Sequence, residues 1–174
     1  MSNRVKIDEK GRLKIPAALL AGLNGVGSDL YVTSEDGEHV RIYPMHVWDQ
    51  VEEQLVRLSA QHSKSSQKLL IRAKYFGQTV RMDEQGRVLI PASLRRTAQI
   101  RGEVDLLAYP NYLEVWNHSR FLDNLKRNPI TIEDEETLHE IERRTGAIGS
   151  PHGAGSRFSR GRRSSHERGR KANS

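Results

Sequence analysis

Apolar and polar residues alternate with the period of a strand in several short runs, and the stretches between them carry the period of a helix. Leu30-Tyr31-Val32-Thr33 and His39-Val40-Arg41-Ile42-Tyr43 read as strands joined through Glu35-Asp36-Gly37-Glu38, whose Asp-Gly pair marks a hairpin. Shorter equivalents recur at Val104 to Tyr109 and Tyr112 to Trp116, bent at Pro110-Asn111. Trp48, Val51, Leu55 and Leu58 stand three and four positions apart, which predicts an amphipathic helix packing one stripe. Phe121, Leu122 and Leu125 predict a shorter helix, and Ile132, Leu138 and Ile141 a terminal acidic one. Gln61 to Lys68 is polar enough for a linker, with Leu69-Leu70-Ile71 leading out of it.

The pattern repeats itself. Val5 to Leu19 aligns without gaps on Val80 to Leu94, an offset of 75, and nine of the fifteen positions are identical. Each copy reads as strand, tight turn, strand, then a short helix opened by proline. Asp8 and Gly11, like Asp83 and Gly86, take the first and fourth places of a four-residue turn. There a short acidic side chain accepts backbone N–H groups and glycine allows φ > 0. Pro16 and Pro91 suit the start of a helix, where a missing N–H costs nothing. With the later hairpin each unit is ββαββ, about 45 residues long. Units this small bury too little apolar surface to stand alone, so the two should share one core or recruit further chains. Trp48 and Trp116, at strand-to-helix corners, are expected in that core.

Composition sharpens this picture chiefly through charge. The 174 residues carry a formal +6, and residues 146 to 174 supply all of it, with seven Arg or Lys against Glu167. The body is neutral but uneven. Residues 1 to 23 and residues 80 to 102 each hold five basic against two acidic groups, whereas residues 103 to 145 hold five against ten. The two basic patches coincide with the two motif copies. The chain has no cysteine, which removes disulfides and thiolate zinc sites and fits a reducing compartment. It shows neither a signal-peptide core nor an apolar run of about 18 residues, so a cytoplasmic protein without a membrane partner is expected.

These residues resemble the MraZ family of bacterial transcriptional regulators, whose chains carry two SpoVT/AbrB-type modules in tandem. The resemblance covers roughly residues 4 to 128. It rests on the two Asp-x-x-Gly-Arg motifs, each followed by Ile-Pro-Ala, and on Tyr43-Pro44 with Trp48. It implies a mainly β fold with short helices, in which two ββαββ modules interlock as a pseudo-twofold barrel. It also implies assembly into a homo-oligomeric ring that binds direct repeats in double-stranded DNA upstream of a division and cell-wall gene cluster, hence a cytoplasmic, nucleoid-associated protein. The expected organisation is a first module at 2–48, a helical connection at 49–76, a second module at 77–120, C-terminal helices at 121–145 and a disordered basic tail at 146–174. Three departures stand out: Leu20 occupies the place of Arg95, Phe76-Gly77 has no counterpart before the first copy, and the tail runs past the usual family end.

The site follows from the chemistry of DNA. Phosphate neutralisation supplies affinity, and groups reaching base edges supply specificity. Arginine's planar fork binds guanine O6 and N7 together, and a two-stranded ribbon fits the major groove. Arg12 and Arg87 are therefore the expected base-reading residues, held on stiff turns built by Asp8, Gly11, Asp83 and Gly86. Lys6, Lys10, Lys14, Arg81, Arg95 and Arg96 are the expected phosphate contacts. No cofactor or metal is expected, and no enzyme: the seven histidines show no close ligand spacing, and no Gly-rich phosphate loop or serine elbow occurs. The alternative is an antitoxin-like or structural interaction protein of the same fold. Such a protein normally has one motif copy per chain and a tail with more apolar anchors than residues 146 to 174 offer.

Overall fold

The two Asp-x-x-Gly-Arg turns organise the architecture, because each closes on its own repeat and is then hydrogen-bonded to the other. In the computed structural model, which describes residues 2–146, β1 (Ser2–Lys6) leads through the first turn into β2 (Arg12–Lys14). A four-residue helix, α1 (Ala17–Leu20), and a 3-10 turn at Ala21–Leu23 follow, then the hairpin of β3 (Asp29–Thr33) and β4 (Val40–Pro44). After the helices α2 (Met45–Ala60) and α3 (Lys64–Phe76) the second repeat retraces this order. Its elements are β5 (Gln78–Arg81), β6 (Arg87–Leu89), α4 (Ala92–Thr97), β7 (Glu103–Ala108) and β8 (Leu113–Asn117). Helix α5 (His118–Arg127) ends this unit. A second unit begins at Ile130 and its described part is helix α6 (Ile132–Thr145), opened by a capping box between Thr131 and Asp134.

The repeats interlock strand by strand. One antiparallel sheet runs β1-β7-β8-β4-β3-β5, and β2 pairs with β6 in a separate ribbon. The first strand of each repeat thus borrows the hairpin of the other, β1 beside β7 and β5 beside β3. The registers carry the twofold: Leu13 lies opposite its counterpart Val88 in the ribbon, and Arg41 lies opposite Glu114 in the sheet. In the same sense Ile7 donates its N–H to Gly102 O, and Met82 to Ser28 O, at 3.0 Å each. The six-stranded ladder has β1 and β5 as its edges, so its strand pairing does not by itself close the pseudo-twofold barrel that the resemblance implies.

Sharing is what the burial pattern demands. Leu13, Ile15, Leu30, Val32, Val40 and Ile42 from one repeat and Val88, Ile90, Leu94, Val104, Leu106 and Val115 from the other form one cluster with no exposed surface. Each side chain of this kind contributes about 1.5–3 kcal/mol when fully buried. Neither repeat alone supplies a closed set.

Helices α2 and α3 cover a second, aromatic cluster in which Trp48 stacks on Tyr31 with ring centroids 4.2 Å apart and also meets Tyr43. Trp48 and Trp116 are both buried, as expected of core residues. The polar stretch read as a linker is shorter than expected. Ser63 accepts the Ser66 N–H at 3.2 Å and starts α3 at Lys64, leaving Gln61 to Ser63 as the connection. Leu69-Leu70-Ile71 is accordingly helical. Gly77 then admits the close approach of Tyr31 and of the Ala73 carbonyl where α3 turns into β5. The disordered tail expected at 146–174 lies outside the described residues except for Gly146, the left-handed C-cap of α6.

Candidate nucleic-acid interface

Turn geometry comes first. In the first repeat the Asp8 carbonyl accepts the Gly11 N–H at 3.0 Å, and Asp8 Oδ1 accepts the Arg12 backbone N–H at 2.8 Å. The second carboxylate oxygen then accepts from Arg12 Nε at 2.8 Å. The second repeat reproduces each contact: Gly86 N–H to Asp83 O at 3.0 Å, Arg87 N–H to Asp83 Oδ1 at 2.9 Å, and Arg87 Nε to Asp83 Oδ2 at 2.7 Å. Gly11 and Gly86 have φ of +82° and +72°. Each aspartate therefore does two jobs, capping the turn and clamping the guanidinium through Nε, where the sequence suggested mainly the first. The backbone N–H of the arginine, followed by its side chain, holds both carboxyls below the usual carboxylate range despite opposing desolvation. Among the described residues no other carboxylate comes within 4.0 Å of either arginine.

The ribbon aims these groups. Successive strand residues point to opposite faces, and Leu13 and Val88 are fully buried, so Arg12, Lys14, Arg87 and Leu89 share the outer face. Each turn is stapled by the opposite repeat, since Ile90 N–H donates to Gly11 O and Ile15 N–H to Gly86 O, both at 2.9 Å. The hairpin ends are in this way tied into the shared core.

The remaining expected contacts divide by repeat. Lys14 reaches across the ribbon to the Gln85 carbonyl and stands beside the second turn, where Leu20 packs on Gly86. Arg95, held by Nε to the Ile90 carbonyl at 3.0 Å, lies against Gly11 in the first turn. Leu89 is the ribbon partner of Arg12. Two differences between the repeats, Leu20 for Arg95 and Lys14 for Leu89, thus compensate: each turn has one motif arginine, one cation from the other repeat and one leucine, but the cation comes from the ribbon at one turn and from the helix at the other. Lys6, Lys10 and Arg96 are exposed, and Arg81 is exposed with Asp29 at 3.6 Å. Sequence reading missed Arg101, which shares a groove with Arg95 and Arg96. Its only signal was its place in the second basic patch.

One further cluster was not foreseen. Around the buried ring of His39, Asp36 lies 3.1 Å from Nδ1, and Glu114 and Glu35 lie 3.4 and 3.7 Å from Nε2. These are ion pairs by distance, without hydrogen-bond alignment at either ring nitrogen. Glu35, Asp36 and His39 bring three ligand atoms within 4.8 Å, a grouping that the absence of close ligand spacing among the histidines did not reveal. It arises because the hairpin folds the carboxylates onto the ring. Arg41 occupies Glu35 at 2.7 Å, however. Burial lowers the His39 pKa, but Asp36 and Glu114 outweigh it and raise the value to about 9. The protonated imidazole and the Arg41 guanidinium together face three carboxylates, Glu35, Asp36 and Glu114, in one charge network. The ring also stacks on Trp116 at 4.5 Å.

Among the described residues no helix is long and apolar enough to cross a membrane. The duplicated, interlocked β-modules with an arginine clamped on each turn define a class: tandem-repeat proteins that display paired hairpin cations from one shared core. The chain belongs to the MraZ family. The sequence model described as "MraZ protein, putative antitoxin-like" matches residues 2–71 and 77–141. The chain is 43% identical over 137 residues to a protein of Acidobacterium capsulatum named transcriptional regulator MraZ, covering 78% of this chain and 93% of the relative. It is 41% identical over 138 residues to a protein of the same name from Koribacter versatilis, with the same coverage. A third such relative, from Chromobacterium violaceum, is 36% identical over 140 residues, covering 79% of this chain and 92% of its own.

Proposed function

We propose that this protein is a sequence-specific, DNA-binding transcription regulator rather than an enzyme. It acts as a homo-oligomeric ring on direct repeats near a division and cell-wall gene cluster, in the cytoplasm and at the nucleoid. The observation that carries the reading is the pair of clamped arginines, Arg12 and Arg87, on the outer face of one ribbon and related by its twofold. A guanidinium gripped through Nε has its terminal N–H groups outside that contact, and a bidentate contact to a guanine edge draws on such donors. Lys14 and Arg95 beside the turns, with Lys6, Lys10, Arg81 and Arg96 further out, supply phosphate contacts. The names of the relatives agree with this role.

The test is a double substitution, Arg12→Ala with Arg87→Ala, assayed by gel shift on a duplex selected from a random pool by the full-length protein. Specific binding should fall by at least about 30-fold, since two bidentate contacts at one to three kcal/mol each sum to at least about 2 kcal/mol, while oligomer mass stays unchanged. Unchanged affinity for the selected duplex removes the reading. The family description also names an antitoxin-like role. Co-purification of a stoichiometric protein partner that displaces DNA would favour it.

A further inference from the structure

The twofold that relates the repeats does not extend to the charges beside them. A groove of about 530 Å³ lined by Arg95, Arg96, Gln99 and Arg101 opens next to α4. A neighbouring cleft shares Arg95 and Arg101 with it and continues to Lys6, Asp8 and Glu9 at the first turn. Of the acidic groups here, Asp8 is committed to Arg12 and Glu9 is exposed. Among the described residues no carboxylate lies within 4.0 Å of Arg95, Arg96, Arg101 or Lys6, although Arg4, Arg12, Arg41, Arg81 and Arg87 are all paired. Three unneutralised arginines converge on one groove.

At the symmetric place the three arginines have no counterparts, and the cations present are Arg81 beside Gly27, paired with Asp29, and Lys14 beside Gly86. The gapless repeat alignment sets Leu20 against Arg95 and Ala21 against Arg96. The matched bonds of Ile7 to Gly102 and Met82 to Ser28 set Gly27 against Arg101. Leucine, alanine and glycine therefore stand where the second repeat has three arginines. A homodimer of single modules would carry the same charges at both ends, but this chain joins two unlike ends covalently.

We propose that Arg95, Arg96 and Arg101 form a one-sided clamp for the DNA phosphate backbone, so that each chain lies on its DNA site in a single orientation. This rests on the DNA-binding reading above and adds to it a direction. The clamp grips phosphates beyond the bases read at the first turn, where the second turn has Lys14 but no matching group of three unpaired arginines. Affinity from the groove is indifferent to base sequence, while the polarity it imposes is not.

Arg96→Glu with Arg101→Glu tests this without touching Arg95, which packs on Gly11. The probes are the selected duplex and a random duplex, with the full-length protein. Affinity should drop by a similar factor, about tenfold or more, on both. Two lost phosphate contacts should make the slope of log K against log salt shallower by about 1.8. Phosphate-ethylation interference should vanish at one flank of the binding repeat only. The converse variant, Ala21→Arg, should add interference at the other flank. Unchanged affinity and slope, or interference lost equally at both flanks, overturns the clamp. If the wild-type protein binds the selected duplex through Arg12 and Arg87 while the groove variant behaves like wild type, the clamp alone fails. If the wild type binds neither duplex, both fail.

Discussion

The guanidinium of Arg95, on the helix of the second repeat, covers Gly11 in the turn of the first. Nothing equivalent covers Gly86, where a Cβ would meet Leu20 at 3.4 Å, ordinary contact distance. Both glycines have positive φ, which costs any other residue roughly 1–2 kcal/mol. Gly11→Ala should therefore destabilise the protein more than Gly86→Ala, because it must also displace Arg95. Denaturant unfolding of the two variants checks this, and equal midpoints would remove Arg95 from the first turn.

The two roles of the motif aspartates separate under Asp8→Asn with Asp83→Asn. The amide oxygen can still accept the backbone N–H of Arg12 or Arg87, so the turn survives. The charged grip on Nε is lost. Discrimination between selected and random duplex should fall roughly fivefold or more, the low end for one bidentate base contact being about 1 kcal/mol, while affinity for random DNA holds or rises because two negative charges are gone. Discrimination equal to wild type would confine the aspartates to building the turn.

His39 makes stability depend on pH in a defined window. Its pKa rises from 6.5 to about 9 on folding, so its charged form stabilises the fold fully below pH 6.5, and that contribution is lost as pH rises through about 9. The shift corresponds to about 3 kcal/mol at most. The groups facing the ring are Glu35, Asp36, Glu114 and the stacked Trp116, with Arg41 sharing the carboxylates. Asp36 is the acid-side counterpart: with its pKa lowered to about 2, its contribution is lost as pH falls from the ordinary 3.8 toward that value. Unfolding free energies between pH 6.5 and 9 should decline for wild type and stay level for His39→Gln. Parallel curves would show that the ring is not the titrating group.

Deleting residues 147–174 removes seven cations and one acid, the whole formal surplus of the chain. If those charges meet phosphate, binding to every duplex should weaken and the salt dependence should flatten. A salt slope that does not move would assign the tail to solubility alone.

Local chemistry was legible in the sequence wherever it acts within a few residues. The duplication, the turn formed by Asp8 and Gly11, the hairpin at Asp36-Gly37 and the stripe of Trp48, Val51 and Leu55 each depend on spacing alone. Reading Gln61 to Lys68 as a linker failed because Ser63 caps a helix whose stability comes from packing on α2 and the sheet, not from its own polar first turn. The cage around His39 failed to show for a similar reason. Two of its carboxylates arrive by hairpin spacing, but Glu114 comes from the other repeat.

By itself, then, the sequence determined that there are two like units, that each opens with a stiff turn bearing an arginine, and that each unit is too small to bury its own apolar face. It could not determine which cations attend which turn. That was decided by the interlocking of the repeats, which lays Lys14 beside the second turn and Arg95 beside the first. The physical reason is the shared core: neither ββαββ unit closes alone, so each strand seeks its partner in the other copy, and residues far apart in the chain become neighbours at the surface where DNA is proposed to bind.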